Sequence, residues 1–313
     1  MNIAARDSLV LVCVADKNFA MPLTVMLKSV GVNLGKNSRA KVYIIYNRIG
    51  KGLKNKVTES LKTEPLAINW IKADDSLLKN IVLTKRITVA AYYKILIPNL
   101  LPQTVKKVIY LDSDLILNSD LYDLWGLDVN GYYLLATSEV RPDCRYASSQ
   151  YGLRLYKELG IDPNAKIFNN AVGVMDVEKF RKDNISEKII EYIAKNRKYI
   201  NWWDQDGFNA ILFDKWKEID PRWNQPYHIY DFASWKESPF DEETYNKLIN
   251  QPHIIHYNTY MKPWLYYCNH PRKDIFFHYL DMTKWAGWRP KEENKIWAYF
   301  KAKLRRLFFS KRA

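Results

Sequence analysis

Residues 106–125 read KKVIYLDSDLILNSDLYDLW: an apolar run, a pair of acids, a second apolar run and a turn. Val108, Ile109, Tyr110 and Leu111 have the β-branched and aromatic character of a buried strand. Asp112-Ser113-Asp114 follows where that strand should leave the core, and Leu115, Ile116 and Leu117 resume the apolar pattern. Asn118-Ser119-Asp120 then supplies turn residues. Two carboxylates between apolar runs are costly to bury unless positive charge meets them. A hard divalent cation would do so, because carboxylate oxygens suit magnesium and manganese. The alternative is structural: Asp114 faces solvent and Asp112 caps a loop.

Upstream, the chain alternates between strands and helices. Leu9 to Ala15 (LVLVCVA) is continuously apolar, as in a strand covered on both faces. Ala20 to Val32 reads as a helix, Val42 to Tyr46 as a strand, Leu53 to Leu61 as a helix and Leu66 to Ile71 as a strand. This alternation predicts an open α/β sheet, whose ligands sit beyond the carboxyl ends of the strands where strand order reverses. Asp16, Asn18 and the Asp112/Asp114 pair all fall at such ends.

Composition bounds the partners. A chain of 313 residues can form two domains or one large α/β domain, and 48% hydrophobic content permits a substantial core. The formal charge of +14 implies an anionic partner: nucleic acid, a phospholipid surface or a phosphorylated small molecule. No nucleic-acid motif accompanies the charge, which is densest in the tail. Cys13, Cys144 and Cys268 lack metal-type spacing, and so sparse and odd a set argues for a reducing compartment. Asp16-Lys17 interrupts the only N-terminal apolar run, and no run of 18 apolar residues exists. The expectation is a cytosolic protein able to bind a membrane surface.

Downstream, Thr88 to Leu96 reads as a helix whose single charge is Lys94, ended by Pro98 and Pro102. Leu134 to Thr137 reads as a strand with Glu139 at its end, and Lys166 to Met175 (KIFNNAVGVM) as a strand approached closely by a neighbour. Glu178 to Ile200 is expected as one helix, with Asp204 a plausible N-cap of the next. Lys215 to Tyr260, rich in Trp, Tyr and Pro, reads as an irregular lobe ending in a short strand, His253 to Tyr257. From Ile296 to Phe308 apolar residues repeat at helical spacing, and Lys301 to Ala313 carries six basic residues and no acid. That is the pattern of an amphipathic helix lying on a membrane.

Taken together, VCVADKNFA, YYKILIPNLLP, VIYLDSDLIL, FNNAVGVMDV, DQDGFN and HYNTYMKPW resemble glycosyltransferase family 8, and within it the bacterial lipopolysaccharide galactosyl- and glucosyltransferases. The resemblance implies an α/β GT-A fold, a mixed but mostly parallel sheet flanked by helices. It places one such domain over residues 1–285 and a basic membrane-association tail over 286–313. It implies a UDP-sugar donor, a saccharide or lipid-linked acceptor, and Mn2+ or Mg2+ held by Asp112, Asp114 and His256. Asp16 and Asn18 match positions at the nucleotide base and ribose, and Lys262 matches the loop lysine that meets the phosphates. Asn169, Asp204 and Gln205 match positions around the transferred sugar, with Gln205 and Asp204 in the catalytic roles. Ser113, Lys94, Glu139 and Thr259 complete the donor-binding set. Lys94 stands where the family often has arginine, Glu139 where aspartate is usual, and Thr259 where a loop glycine is expected. Two other readings accommodate the acid pair or the tail alone: a metal-dependent nucleotidyltransferase or phosphohydrolase, and a non-catalytic membrane-surface scaffold.

Overall fold

The computed structural model describes residues 9–78, 81 and 89–292. The chain opens with β1 (Leu9–Ala15), α1 (Ala20–Asn33), β2 (Ala40–Tyr46), α2 (Lys51–Leu61) and β3 (Leu66–Lys72). A 3-10 helix (Val89–Leu96) runs into the single turn α3 (Ile97–Leu100), then β4 (Lys107–Leu111), β5 (Leu115–Leu117) and α4 (Tyr122–Trp125). Next come β6 (Leu134–Ser138), β7 (Phe168–Asp176), α5 (Val177–Lys182), α6 (Ile185–Lys195) and α7 (Asp204–Leu212). The last elements are β8 (Trp216–Glu218), β9 (Gln225–Pro226), α8 (Glu242–Asn250), β10 (Ile254–His256) and α9 (Lys273–Leu280).

Among the described residues the main sheet has the order β3-β2-β1-β4-β7-β6-β8. β1 pairs in parallel with both β2 and β4, while β7 runs antiparallel to β4 and β6. The chain therefore winds outward from β1 to β3 and returns on its other side at β4. The crevice between the carboxyl ends of β1 and β4 is a topological switch point, the expected position of a ligand. Successive residues of β1 feed opposite cores: Leu11 and Cys13 join the cluster with Leu23 and Val42, and Val12 the one with Tyr92 and Tyr110. Burial on both faces is why these strands read as unbroken apolar runs.

A smaller sheet, β5-β10-β9, stands beside the first, and Asp112-Ser113-Asp114 is the covalent link from β4 into it. Helix α1 braces the join: Asn33 Nδ2 donates to the Leu117 carbonyl (3.0 Å), and the Leu117 N–H donates to Ser29 Oγ (3.0 Å). The close approach expected along β7 is real. A Cβ on Gly173 would lie 2.8 Å from Leu134 Cδ1 of β6. One step along β6, from Ala136 to Thr137, spans Gly173 to Asn169 on β7. The resulting bulge turns Asn169 and Asn170 toward the switch point.

Three expectations need correction. Residues 89–96 form a 3-10 helix and not an α-helix, with Thr88 outside the described residues. The helix expected from Glu178 to Ile200 is broken at Asn184, which takes the left-handed conformation (φ 50°) that asparagine tolerates, and ends in a 3-10 turn at Arg197–Tyr199. Asp204 does not cap α7. Asp206, two residues on, reaches back to accept from the N–H groups of Asn201 (2.6 Å) and Trp202 (3.1 Å). Arg289 pairs with Asp281 at the end of α9 (2.6 Å), and the amphipathic pattern from Ile296 onward lies outside the described residues. Among the described residues no helix is long and apolar enough to cross a membrane.

Candidate active site

The acid pair is fixed by its backbone and by the serine between. The Asp112 N–H donates to the Ala171 carbonyl of the β7 bulge (2.8 Å). Ser113 Oγ donates to the Val14 carbonyl of β1 (2.7 Å), and the Tyr257 N–H donates to the Asp114 carbonyl (3.0 Å). Three consecutive residues are thus pinned to β7, to β1 and to the residue just after β10, and the register that pairs His256 with Leu115 brings His256 beside Asp114. One ligand atom from each of Asp112, Asp114 and His256 falls within 4.8 Å of the others. His256 Nε2 lies 3.5 Å from Asp114 Oδ1.

Two lysines face this group. Lys94 Nζ sits 3.2 Å from Asp112 Oδ1 and 3.4 Å from Asp204 Oδ2, and Asn170 Nδ2 donates to Asp204 (2.6 Å). Burial opposes the Lys94 charge, but Asp112 and Asp204 outweigh it and hold its pKa above the ordinary value. Asp204 is raised, because burial exceeds what Lys94 and Asn170 return to it. Lys262 Nζ donates to Asp114 Oδ2 (2.5 Å) and to the Tyr257 carbonyl (2.5 Å). Burial would raise the Asp114 carboxyl, yet the Lys262 ammonium beside it holds it far below the usual carboxylate range. Tyr110 donates its hydroxyl to Asp112 Oδ1, and burial together with that carboxylate pushes the phenol pKa well up.

A cavity of about 420 Å³ opens over these groups. Of the expected site residues, Asp16, Lys94, Asp112, Ser113, Asp114, Glu139, Asn169, Asp204, Gln205, His256 and Lys262 line it. Asn18 and Thr259 do not. The Asn18 N–H closes an Asx turn on Asp16 (2.8 Å), and Thr259 Oγ1 accepts from the Met261 N–H (3.3 Å), so both serve local turns. Side chains that motif reading passed over add to the wall, among them Tyr110, Arg141, Asn170, Trp202, Trp203 and His228. Trp203 has φ 51° and ψ −115°, a conformation unfavourable for a bulky residue, in a turn closed by the Gln205 N–H on the Trp202 carbonyl (3.0 Å). The Asp206 contacts, and the Trp202 indole N–H donating to the Tyr151 carbonyl (2.8 Å), hold that turn in place.

Carboxylates, an imidazole and two ammonium groups at the switch point of an α/β sheet, over a cavity with amide and indole walls, suit an anionic donor carrying a sugar. Comparison with known proteins defines the class. The fold matches a crystal structure of the galactosyltransferase LgtC with donor and acceptor sugar analogues (TM-score 0.75, 21% identity, 88% of this chain and 96% of that one). The architecture is therefore the GT-A fold of glycosyltransferases.

The family model described as glycosyl transferase family 8 matches residues 10–268, and the chain belongs to that family. It is 32% identical to general stress protein A of Bacillus subtilis (strain 168), over 88% of this chain and 94% of that protein. It is 23% identical to the lipopolysaccharide 1,2-glucosyltransferase of Escherichia coli (strain K12), over 94% and 84%. The protein is a glycosyltransferase, and family membership sets aside the nucleotidyltransferase and scaffold readings.

Proposed function

We propose that this glycosyltransferase moves a hexose, glucose or galactose, from a UDP-sugar to a saccharide acceptor of lipopolysaccharide or another surface glycan, with retention at the anomeric carbon. The observation that carries the reading is the convergence of Asp112, Asp114 and His256 on one edge of a cavity whose other walls hold Asn169, Asp204 and Gln205.

The residues fit a divalent cation. Two carboxylates and an imidazole are a donor set for a first-row divalent metal, and the imidazole favours Mn2+ over Mg2+. The Asp114 environment already favours positive charge strongly enough to hold an ammonium at 2.5 Å. Asp112, Asp114 and His256 would hold the metal, which supplies charge neutralisation to a departing diphosphate. Lys262, on the loop beside it, offers a compact ammonium to the same phosphates. Asp204, oriented by Lys94 and Asn170, positions sugar hydroxyls as an acceptor of hydrogen bonds. Gln205 is an amide and a poor nucleophile, so double displacement through a glycosyl-enzyme has no carboxylate at that position. Departure and attack on one face of the sugar follow, with Gln205 orienting and polarising the reacting groups.

A screen of UDP-sugars for Mn2+-dependent hydrolysis and thermal stabilisation tests the donor. A hit with UDP-glucose or UDP-galactose, abolished by a chelator, supports the reading, and full activity after chelation refutes it. The anomeric configuration of the product tests retention: a β-linked product from an α-linked donor removes it. We also place the enzyme on the cytoplasmic face of the membrane, anchored by the basic segment after Tyr299. Each cation near anionic lipid contributes about 1 kcal/mol. Truncation there should release the protein from anionic liposomes while sparing donor hydrolysis.

A further inference from the structure

His256 touches more than Asp114. Its Nδ1 lies 2.9 Å from Asn224 Oδ1, Asn224 Nδ2 lies 3.0 Å from Asn169 Oδ1, and Asn169 Nδ2 lies 3.1 Å from Glu139 Oε2. Asn224 is buried, the last residue of a 3-10 turn (Pro221–Asn224) before β9, and β9 pairs with β10 so that Pro226 stands opposite His256. Asn169 belongs to β7 of the main sheet. The amide of Asn224 therefore spans the two sheets at the same place where Asp112-Ser113-Asp114 joins them covalently.

The direction of every bond in this chain is determined by groups that have only one role. The Ala171 N–H, which can only donate, points at Asn169 Oδ1 (3.1 Å), so that atom is the carbonyl oxygen. Asn169 Nδ2 then donates to Glu139, a carboxylate that also accepts from the Val140 N–H (3.1 Å). With Asn169 Oδ1 an acceptor, the facing atom of Asn224 must be its NH2, and its oxygen must face His256. A neutral His256 consequently carries its proton on Nδ1 and leaves the Nε2 lone pair toward Asp114. His270 provides the opposite case in the same molecule: the Arg272 N–H donates to its Nδ1 (3.1 Å), so a neutral His270 carries its proton on Nε2.

We propose that Asn224 is a positioning residue that fixes His256 in the Nδ1–H tautomer, presenting Nε2 to the metal, and links it through Asn169 to Glu139 on the sugar side of the cavity. The proposal rests on the metal-dependent reading above, and one of its readouts is independent of metal. An imidazole whose second nitrogen is held by a partner is oriented as a ligand before the metal arrives, and loss of such a partner typically costs about 10–100-fold in metal affinity.

The test uses the full chain labelled with 15N-histidine, with the His256 resonances assigned by their absence in His256→Gln. In metal-free wild-type protein the long-range 1H–15N spectrum should show His256 protonated on Nδ1. Asn224→Leu, close in volume, should lose that signature and bind Mn2+ about 10–100-fold more weakly by electron paramagnetic resonance. Asn224→Asp, which keeps an acceptor for Nδ1–H, should retain the tautomer and most of the Mn2+ affinity. Asn169→Ala frees the Asn224 amide to turn over, and the tautomer should become mixed although the direct partner of His256 is unchanged. This variant decides the matter if Asn224→Leu does not fold. An unchanged Nδ1–H signature in both Asn224→Leu and Asn169→Ala overturns the proposal. If the wild-type protein binds no Mn2+, the metal reading fails while the tautomer measurements still decide the relay.

Discussion

Lys94 and Lys262 meet the Asp112–Asp114 pair from its two ends, and the two ends are built differently. Lys94 issues from a 3-10 helix packed on the core, its side chain is 9% exposed, and it spans two carboxylates, Asp112 and Asp204. Lys262 issues from the loop after β10, its side chain is twice as exposed at 18%, and it satisfies one carboxylate and one backbone carbonyl. Each has the same charge, but the first balances two carboxylates and the second only one. Removing Lys94 strands two acids, Asp204 (9% exposed) and Asp112 (28%), whereas removing Lys262 strands one, Asp114 (13%), which keeps His256 beside it. A cation held by the core belongs to the scaffold, and one held by a loop is available to a ligand.

This contrast can be broken at several strengths. The largest effect is expected at one of the proposed metal ligands: Asp114→Asn should lower kcat/KM by about 10³-fold, as loss of a preorganised charge does. Its melting temperature at neutral pH should also fall, because the Lys262 ammonium is left without its carboxylate. Retention of activity within about tenfold would detach Asp114 from the chemistry. Next, Lys94→Met should lose about 3 kcal/mol of stability, measured by denaturant titration, because a buried ionic cluster missing one partner is left with uncompensated charge. Lys94→Arg should recover most of it. Lys262→Met, which strands one carboxylate and not two, should cost about 2 kcal/mol while weakening UDP binding. A stability loss equal to that of Lys94→Met would erase the distinction.

The smallest effect concerns Asp206, which braces the Lys94 end. Burial raises its carboxyl to about 7 against two backbone N–H bonds that favour the charged form. The folded pKa lies above the unfolded one, so its contribution to stability is full below about pH 4 and is lost as pH rises through 7. Asp206→Asn, neutral throughout, should gain in melting temperature relative to wild type between pH 5 and pH 8. Parallel pH profiles for the two proteins would refute the assignment.

The half of the site nearest the switch point was legible because short-range patterns announce it. Leu9–Ala15 and residues 108–111 are apolar runs with acids at their ends, and an acid pair between apolar runs is visible without coordinates. Asn224 was not legible. It lies in a stretch of tryptophan, tyrosine and proline with no period, and its role comes from the pairing of β9 with β10, a register between residues distant in sequence. The displaced cap has another cause. Asp204 and Asp206 are chemically identical and two positions apart, and only the strained turn at Trp203 decides which one faces back toward Asn201 and which faces Lys94. The break at Asn184 lay behind a helical pattern that continues across it, so periodicity alone ran α5 and α6 together.

The turn at Trp203 also bears on how binding would register in a calorimeter. A backbone in so sparsely populated a region costs roughly 1–3 kcal/mol, and that cost is met when the protein folds, not when a ligand arrives. The indole-lined wall beside Gln205 is thus already ordered, and a sugar docking against it loses little further chain entropy. Trp203→Gly would relax the strain and let the loop sample many shapes. The variant should melt at a lower temperature, because the half-buried indole gives up its packing against the core and against Trp202, and bind its sugar substrates with a more unfavourable entropy, the ordering cost having moved from folding to binding.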